Sequence, residues 1–346
     1  MKEFNDIVTI NQTKIGEGFP PYIIAEMACA HNGDVEQAIK ITEAAYKAGA
    51  NAIQLQFFNL SEVVTPTHEV FPTIKKICFD EEQWKKVHDY ASSLNIDLLV
   101  CTYDLPSVEL AVKLGVHGIK LNSADLSNPE VVEAAAKTKL PITLGTGAST
   151  MEEISNGLNL IRNNGGKDVI LMQGVQNFPT KTEDLNISRI KLLQNVFEMP
   201  VGYHDHTDGD DSFGQVIDLI ALGMGACVIE KHITLDRSMK GVDYQAALEP
   251  DEFKVFVDNL KRGTVALGSN EIKPFNESDL KYRKFQKKSV VAIRDIDKGE
   301  TINRTDVMFA RNETPGLAPI NFDQLEGKKA QEAINKFDNI LPENVV

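Results

Sequence analysis

The sequence has no long apolar run, few cysteines and a deficit of basic residues, and each scarcity excludes a class of protein. No apolar stretch approaches the ~20 residues that cross a bilayer. The opening MKEFNDIVTINQTKIGEG lacks the apolar core of a secretion signal. Both absences lead to the expectation of a cytoplasmic protein with no membrane partner. The 346 residues include four cysteines, Cys29, Cys78, Cys101 and Cys227, all far apart and none in a CxxC pair. A disulfide scaffold and a cysteine metal knuckle are thereby excluded, and the thiols are expected to be reduced. Lys and Arg number 36 against 50 Asp and Glu, for a net charge of −14. Nucleic acid is excluded as a partner, because a phosphate backbone needs a basic face. An anionic small molecule is not excluded, since a few cations focused in a cleft suffice.

What is present is a regular alternation. Short runs rich in Val, Ile and Leu fall at 21–26 (PYIIAE), 51–56, 96–102, 117–121, 141–145, 168–173, 200–204 and 226–231. Near-continuous apolar runs of this length suit parallel strands buried on both faces. Between them, stretches such as 35–48, 82–93 and 151–162 place apolar residues three and four apart, the helical spacing. Gly49 and Gly115 follow two of these stretches as stop signals. Eight strand–helix units predict an α/β protein built on a closed (β/α)8 TIM barrel over 1–267. A doubly wound open sheet is the competing architecture, and the absence of GxGxxG after the first strand speaks against it.

The pattern changes after the barrel. Residues 268–288 are polar and charged and read as a linker. Residues 281–346 carry 12 Lys and Arg against 10 Asp and Glu, whereas the first 280 carry 24 against 40. From 289 to 346 short strands and turns are expected, with two similar segments, 296–302 (IDKGETI) and 334–340 (INKFDNI). A small β-rich domain with internal pseudo-symmetry is the expectation. Its core is thin at this size, so it should lean on a partner surface.

A barrel builds its active site at the C-terminal strand ends. Read in order, those ends offer Glu26, Gln54 and Gln56, Thr102, Lys120, Asn122, Ser123, Asp125 and Thr146. They continue with Gln173, Gln176, His204, Asp205, His206, Glu230 and His232. His206 and His232 end consecutive strands, and two imidazoles with open positions suit Mn²⁺, Fe²⁺ or Zn²⁺. The bland alternative makes them hydrogen-bonded polar residues. Lys120, inside the apolar run GIKLNS, with Thr102 and Ser123 nearby, would hold a phosphate or carboxylate. A Schiff-base lysine is its rival role. Glu26 and Asp125 are candidate general acid–base groups, since desolvation raises a carboxylate pKa; a salt bridge to Lys120 is the structural alternative.

These motifs resemble the sialic acid synthase family. IAEMACAHNGD, CTYDLPS, IKLNSADLSN, PITLGTGAST, GYHDHT, IEKHITLD and GVDYQAALEP follow in the family's order. VAIRDIDKGETI and RNETPGLAP resemble its C-terminal antifreeze-like (SAF) domain. The resemblance covers essentially the whole chain. It implies a synthase that condenses phosphoenolpyruvate with an amino-sugar aldose to give a nonulosonic acid and phosphate. It also implies a divalent metal on His206 and His232, Mn²⁺ first, with Mg²⁺, Fe²⁺ or Co²⁺ as alternatives. Glu26, Asp125 and Lys120 would be catalytic, with Thr102 and Ser123 also holding the donor. Asp243 would bind sugar hydroxyls, and Arg311, on the lid domain, would reach the acyl substituent in a domain-swapped homodimer.

The departures are equally specific. The family usually has Lys at the position of Gln54, Glu at Asp125, Ser at Gly145 and Ser at His204, and Gln176 replaces a small polar residue near the donor. A lost cationic contact costs roughly 1.5–3 kcal/mol. His204 is expected either to replace that charge in its protonated form or to join the metal shell. Two other readings stay open: a barrel aldolase using Lys120 as a Schiff base, and a non-catalytic sugar-acid binder.

Overall fold

The computed structural model describes residues 3–269 and 271–346. The chain forms two compact units that divide between residues 269 and 270. In the first, a hairpin of β1 (Val8–Ile10) and β2 (Thr13–Ile15) precedes eight parallel strands. These are β3 (Tyr22–Glu26), β4 (Ala52–Phe57), β5 (Asp97–Thr102), β6 (Gly118–Leu121), β7 (Ile142–Gly145), β8 (Val169–Gln173), β9 (Val201–Asp205) and β10 (Val228–Ile233). Each pairs in parallel with the next, and β10 pairs with both β9 and β3, so the sheet closes into the expected (β/α)8 barrel. Helices alternate with the strands. The first, Val35–Ala48, is capped by the Asp34 carboxylate, and Gly49 ends it at φ 88°. Its Ala38, Ile41 and Ala45 face the barrel wall.

Strand alternation sorts the wall into two cores. Ile23, Ala25, Ile53, Leu55, Leu98 and Val100 point outward into the core shared with the helices. The intervening Tyr22, Ile24, Ala52 and Leu99 point inward, where they meet Val8, Ile10 and Ile15 of the hairpin. The hairpin therefore closes the barrel at the strand beginnings and leaves the strand ends open. Because the period is two, this parity decides which polar residues at those ends reach the interior.

The second unit holds β12 (Ser289–Ala292) and β13 (Val307–Ala310), antiparallel to each other; β11 (Ala247–Leu248) belongs to the barrel, beside β10. The two similar segments pair reciprocally: Ile296 N–H donates to the Ile334 carbonyl and Ile334 N–H to that of Ile296, both at 2.9 Å. Each segment ends in a buried isoleucine, Ile302 or Ile340, followed by the same 3-10 turn, Arg304–Asp306 or Pro342–Asn344. Internal pseudo-symmetry is thus built into the core. The segment read as plain linker instead contains a helix, Glu277–Gln286. Asn276 caps it by accepting from the Asp279 N–H at 2.8 Å, an N-x-x-D capping box that the sequence displays. No helix among the described residues is long and apolar enough to cross a membrane.

Candidate active site at the C-terminal mouth of the barrel

A cavity of about 200 Å³ opens at the strand ends, with Glu26, Lys120, His206, His232, Gln176 and Asp243 in its wall. Gln56, Tyr103, Asn122 and Phe178 complete it. A larger concavity of about 550 Å³ lies beside Phe4, Leu158 and Phe197, but its only ionisable groups are Glu3 and Glu198. Chemistry, not volume, selects the smaller one.

On the floor, Lys120 donates to Glu230 Oε1 and lies 3.7 Å from Glu26 Oε2. All three are almost fully buried. Burial disfavours the ammonium, but Glu230 and then Glu26 outweigh it and hold the Lys120 pKa above its ordinary value. A Schiff-base nucleophile needs a neutral amine, so this setting opposes that role. Glu26 accepts from Ala28 N–H at 2.7 Å, from Gln56 Nε2 at 3.2 Å, and from Gln54 Nε2. Burial, with help from Glu230, pushes its pKa up to about 7 against the opposing pull of Lys120, Gln54 and Ala28. A carboxyl that holds its proton near neutrality is suited to acid–base work.

At the mouth the rings of His206 and His232 stand 5.2 Å apart, with Phe178 against both, 4.2 Å from His206. His206 Nδ1 donates to the Val175 carbonyl at 2.6 Å, which leaves Nε2 with its lone pair free. Burial lowers the pKa of both rings, so both are neutral, the coordinating form. Among the described residues no cluster of three or more His, Cys, Asp or Glu is arranged to hold a metal. His206 and His232, neutral and with ring centres 5.2 Å apart, are the side chains at the mouth whose chemistry suits an ion.

Several expected site residues lie elsewhere. Thr102 has outward parity, like Leu98 and Val100, and its hydroxyl is buried behind the wall; the inward neighbours are Cys101 and Tyr103. Ser123 likewise gives way to Asn122, to whose Oδ1 its hydroxyl donates at 3.4 Å. Gln54 does not reach the cavity but lies beneath it, its amide spent on Glu26. Asp125 sits half-buried in the turn Ser123–Asp125, away from the cavity wall. Burial pushes its pKa up to about 6, and Glu230, not Asp125, takes the second carboxylate place at Lys120.

His204 departs furthest from expectation. It is buried, and burial together with His206, Lys120 and His232 drives its pKa well below the ordinary imidazole value. That setting opposes a protonated replacement for a lost lysine in the chain without its donor. The His204 ring stands 5.1 Å from that of His206, close to the 5.2 Å that His206 keeps from His232. Its ring occupies the space above Gly174, where a Cβ would fall 1.6 Å from His204 Cδ2. Gly145 has a comparable reason: a Cβ there would approach the Ser123 backbone nitrogen to 2.9 Å, so a serine does not fit without a shift. Gln176 and Asp243 do reach the cavity, and burial raises the Asp243 pKa to about 6. Arg311 lies exposed just after β13 in the second unit.

Residues 41–272 match the NeuB family model. The chain belongs to the NeuB family. A SAF domain follows over residues 287–346. The chain is 32% identical to the N,N'-diacetyllegionaminic acid synthase of Campylobacter jejuni, over 93% of this chain and 98% of that one. It is 30% identical to the pseudaminic acid synthase of the same species, over 92% and 95%. Among solved structures it resembles the N-acetylneuraminic acid (sialic acid) synthetase of Leptospira borgpetersenii. There the TM-score is 0.74 at 30% identity, covering 80% of this chain and 96% of that one. In this NeuB member Tyr103 lines the cavity, a place that strand parity could have revealed, and Glu230 lies beneath it at Lys120.

Proposed function

We propose that this protein condenses phosphoenolpyruvate with an acyclic amino-sugar aldehyde to give a nine-carbon 2-keto-3-deoxy sugar acid and phosphate. Similarity to legionaminic, pseudaminic and sialic acid synthases over nearly the full chain supports the reaction class. The observation that carries it here is a cationic Lys120 beside a carboxyl titrating near 7, beneath two neutral imidazoles.

Lys120 holds the anionic donor as a point charge, with the Asn122 and Gln176 amides beside it. Carbon 3 of the donor attacks the aldehyde carbon. Glu26, protonated up to about pH 7, gives its proton to the nascent alkoxide. The cation left at carbon 2 is stabilised by Glu26, ionised once it has given up its proton. Water adds there, one of its protons returning to Glu26 and the other leaving with the phosphate, which departs as its bond to carbon 2 breaks and the carbonyl forms. His206 and His232 would hold a divalent ion, Mn²⁺ in the first instance, which when bound supplies electrophilic polarisation of the aldehyde oxygen. Asp243 would accept from sugar hydroxyls, while Phe178 and Tyr103 exclude water from the reacting atoms.

The protein acts in the cytoplasm as a domain-swapped homodimer, with Arg311 of the SAF domain reaching the partner's acceptor. A binding-only role rested on the substitutions around Gln54, and the retention of Glu26, Lys120, His206 and His232 in the cavity wall argues against it. The test is a phosphate-release screen with phosphoenolpyruvate, Mn²⁺ and a panel of hexosamine-derived aldoses. Acceptor-dependent release with at least one aldose is expected. Release that ignores every acceptor would overturn the assignment.

A further inference from the structure

Behind the two rim histidines lies a second buried charge cluster, on the outer face of the wall. Asp205 and Lys231 are Cα partners across the β9–β10 ladder, one residue before His206 and His232 respectively. Lys231 Nζ donates to Asp205 Oδ2, lies 3.2 Å from Asp218 Oδ2 on the helix Gly214–Gly223, and 3.3 Å from Thr207 Oγ1. Asp205 accepts from Tyr203 Oη at 2.6 Å and from Thr207 Oγ1 at 2.5 Å. Asp205, Asp218 and Lys231 are each at most 1% exposed, so none can touch a ligand in the cavity. A buried ion cluster seldom stabilises a fold better than well-packed apolar residues, so its use is sought in geometry.

That geometry is specific. Side chains alternate along a strand, so anchoring Lys231 to Asp205 outside fixes the inward pairs, His204 with Glu230 and, one step on, His206 with His232. Thr207 extends the lock beyond the strand end, where Thr180 N–H donates to the His206 carbonyl at 2.7 Å. We propose that Asp205, Lys231 and Asp218 are positioning residues that set the spacing of the His206 and His232 rings, and with it the affinity for a divalent ion. The proposal rests on the reading of those two histidines as the ion-binding pair.

The test titrates Mn²⁺ into the full-length chain without substrates, for wild type, Lys231→Met and Asp205→Asn, with thermal unfolding measured in parallel. Asp205→Asn keeps the volume and the capacity to bond Tyr203 and Thr207, so it decides the matter if Lys231→Met does not fold. Both variants are expected to bind Mn²⁺ about tenfold or more weakly while still folded, the usual scale for residues behind metal ligands. A merely structural cluster would lower the unfolding temperature and leave ion affinity at the wild-type value, and that result overturns the proposal. A wild type that binds no Mn²⁺, or that binds it equally after His232→Ala, overturns the ion-binding reading and the proposal with it.

Discussion

Gln54→Lys is the most informative single change, because Gln54 touches the acid–base group and not the cavity. In the native protein its amide donates to Glu26, whose pKa stands at about 7. An ammonium in that place, ~4 Å from the carboxylate, is worth about 4 kcal/mol at an effective dielectric of 20, or roughly three pKa units. Desolvation of the new cation, and its repulsion by Lys120, offset part of this. The net expectation is a fall of about one to two units. Glu26 acts as an acid in the proposed step, so activity is lost as pH rises through its pKa. That alkaline limb of kcat/KM for phosphate release should therefore move from near 7 to about 5–6. Linkage gives the same sign for stability: Glu26's contribution is full below about 4.5 and lost as pH rises through about 7, and the variant shifts the loss to lower pH. An active, folded variant whose alkaline limb stays in place would refute the role given to Glu26. A large gain in donor affinity without a shift of the limb would return Gln54 to the donor site.

Other outcomes follow from the same geometry. Chelation should abolish activity and Mn²⁺ restore it, while His206→Ala or His232→Ala should lose the ion; full turnover in a metal-free preparation would contradict this. Gly174→Ala forces a methyl onto the His204 ring and should destabilise by about 1–3 kcal/mol. His204→Ser should relieve only the ring's share, because the His204 backbone carbonyl would also stand 2.5 Å from that methyl; strictly additive effects in a double-mutant cycle by thermal unfolding would refute the ring contact. Arg311→Ala should raise the acceptor KM and spare the donor KM, and light scattering should find a dimer; an active monomer would refute the swapped arrangement. Borohydride with pyruvate should trap no adduct on Lys120, because the adjoining Glu230 holds that amine's pKa above its ordinary value.

Much of this was legible in the sequence because a barrel repeats one rule eight times. Continuous Val, Ile and Leu runs located every wall strand, and the polar residues ending them marked the rim. What escaped was parity. Thr102 and Ser123 look suited to a phosphate, yet each is one residue out of step with the inward series that carries Cys101, Tyr103 and Asn122. Glu230 was visible at a strand end, but only the closed barrel brings it to Lys120, 110 residues away in the chain. His204 is a different case: sequence shows the imidazole but not the burial that lowers its pKa, nor its packing against Gly174. The helix Glu277–Gln286 was masked by its polarity, although its capping box was on view.

The central claim is that a three-carbon unit from phosphoenolpyruvate is joined to an aldehyde on this barrel. It is tested most directly by mass spectrometry of the product formed with an accepted aldose in ¹⁸O-water, alongside phosphate release. The account predicts a product heavier than the aldose by one pyruvyl unit, one phosphate per product, and no ¹⁸O in the phosphate, because the bond to carbon breaks. Phosphate that carries the label, or pyruvate in place of a condensed sugar acid, would contradict it.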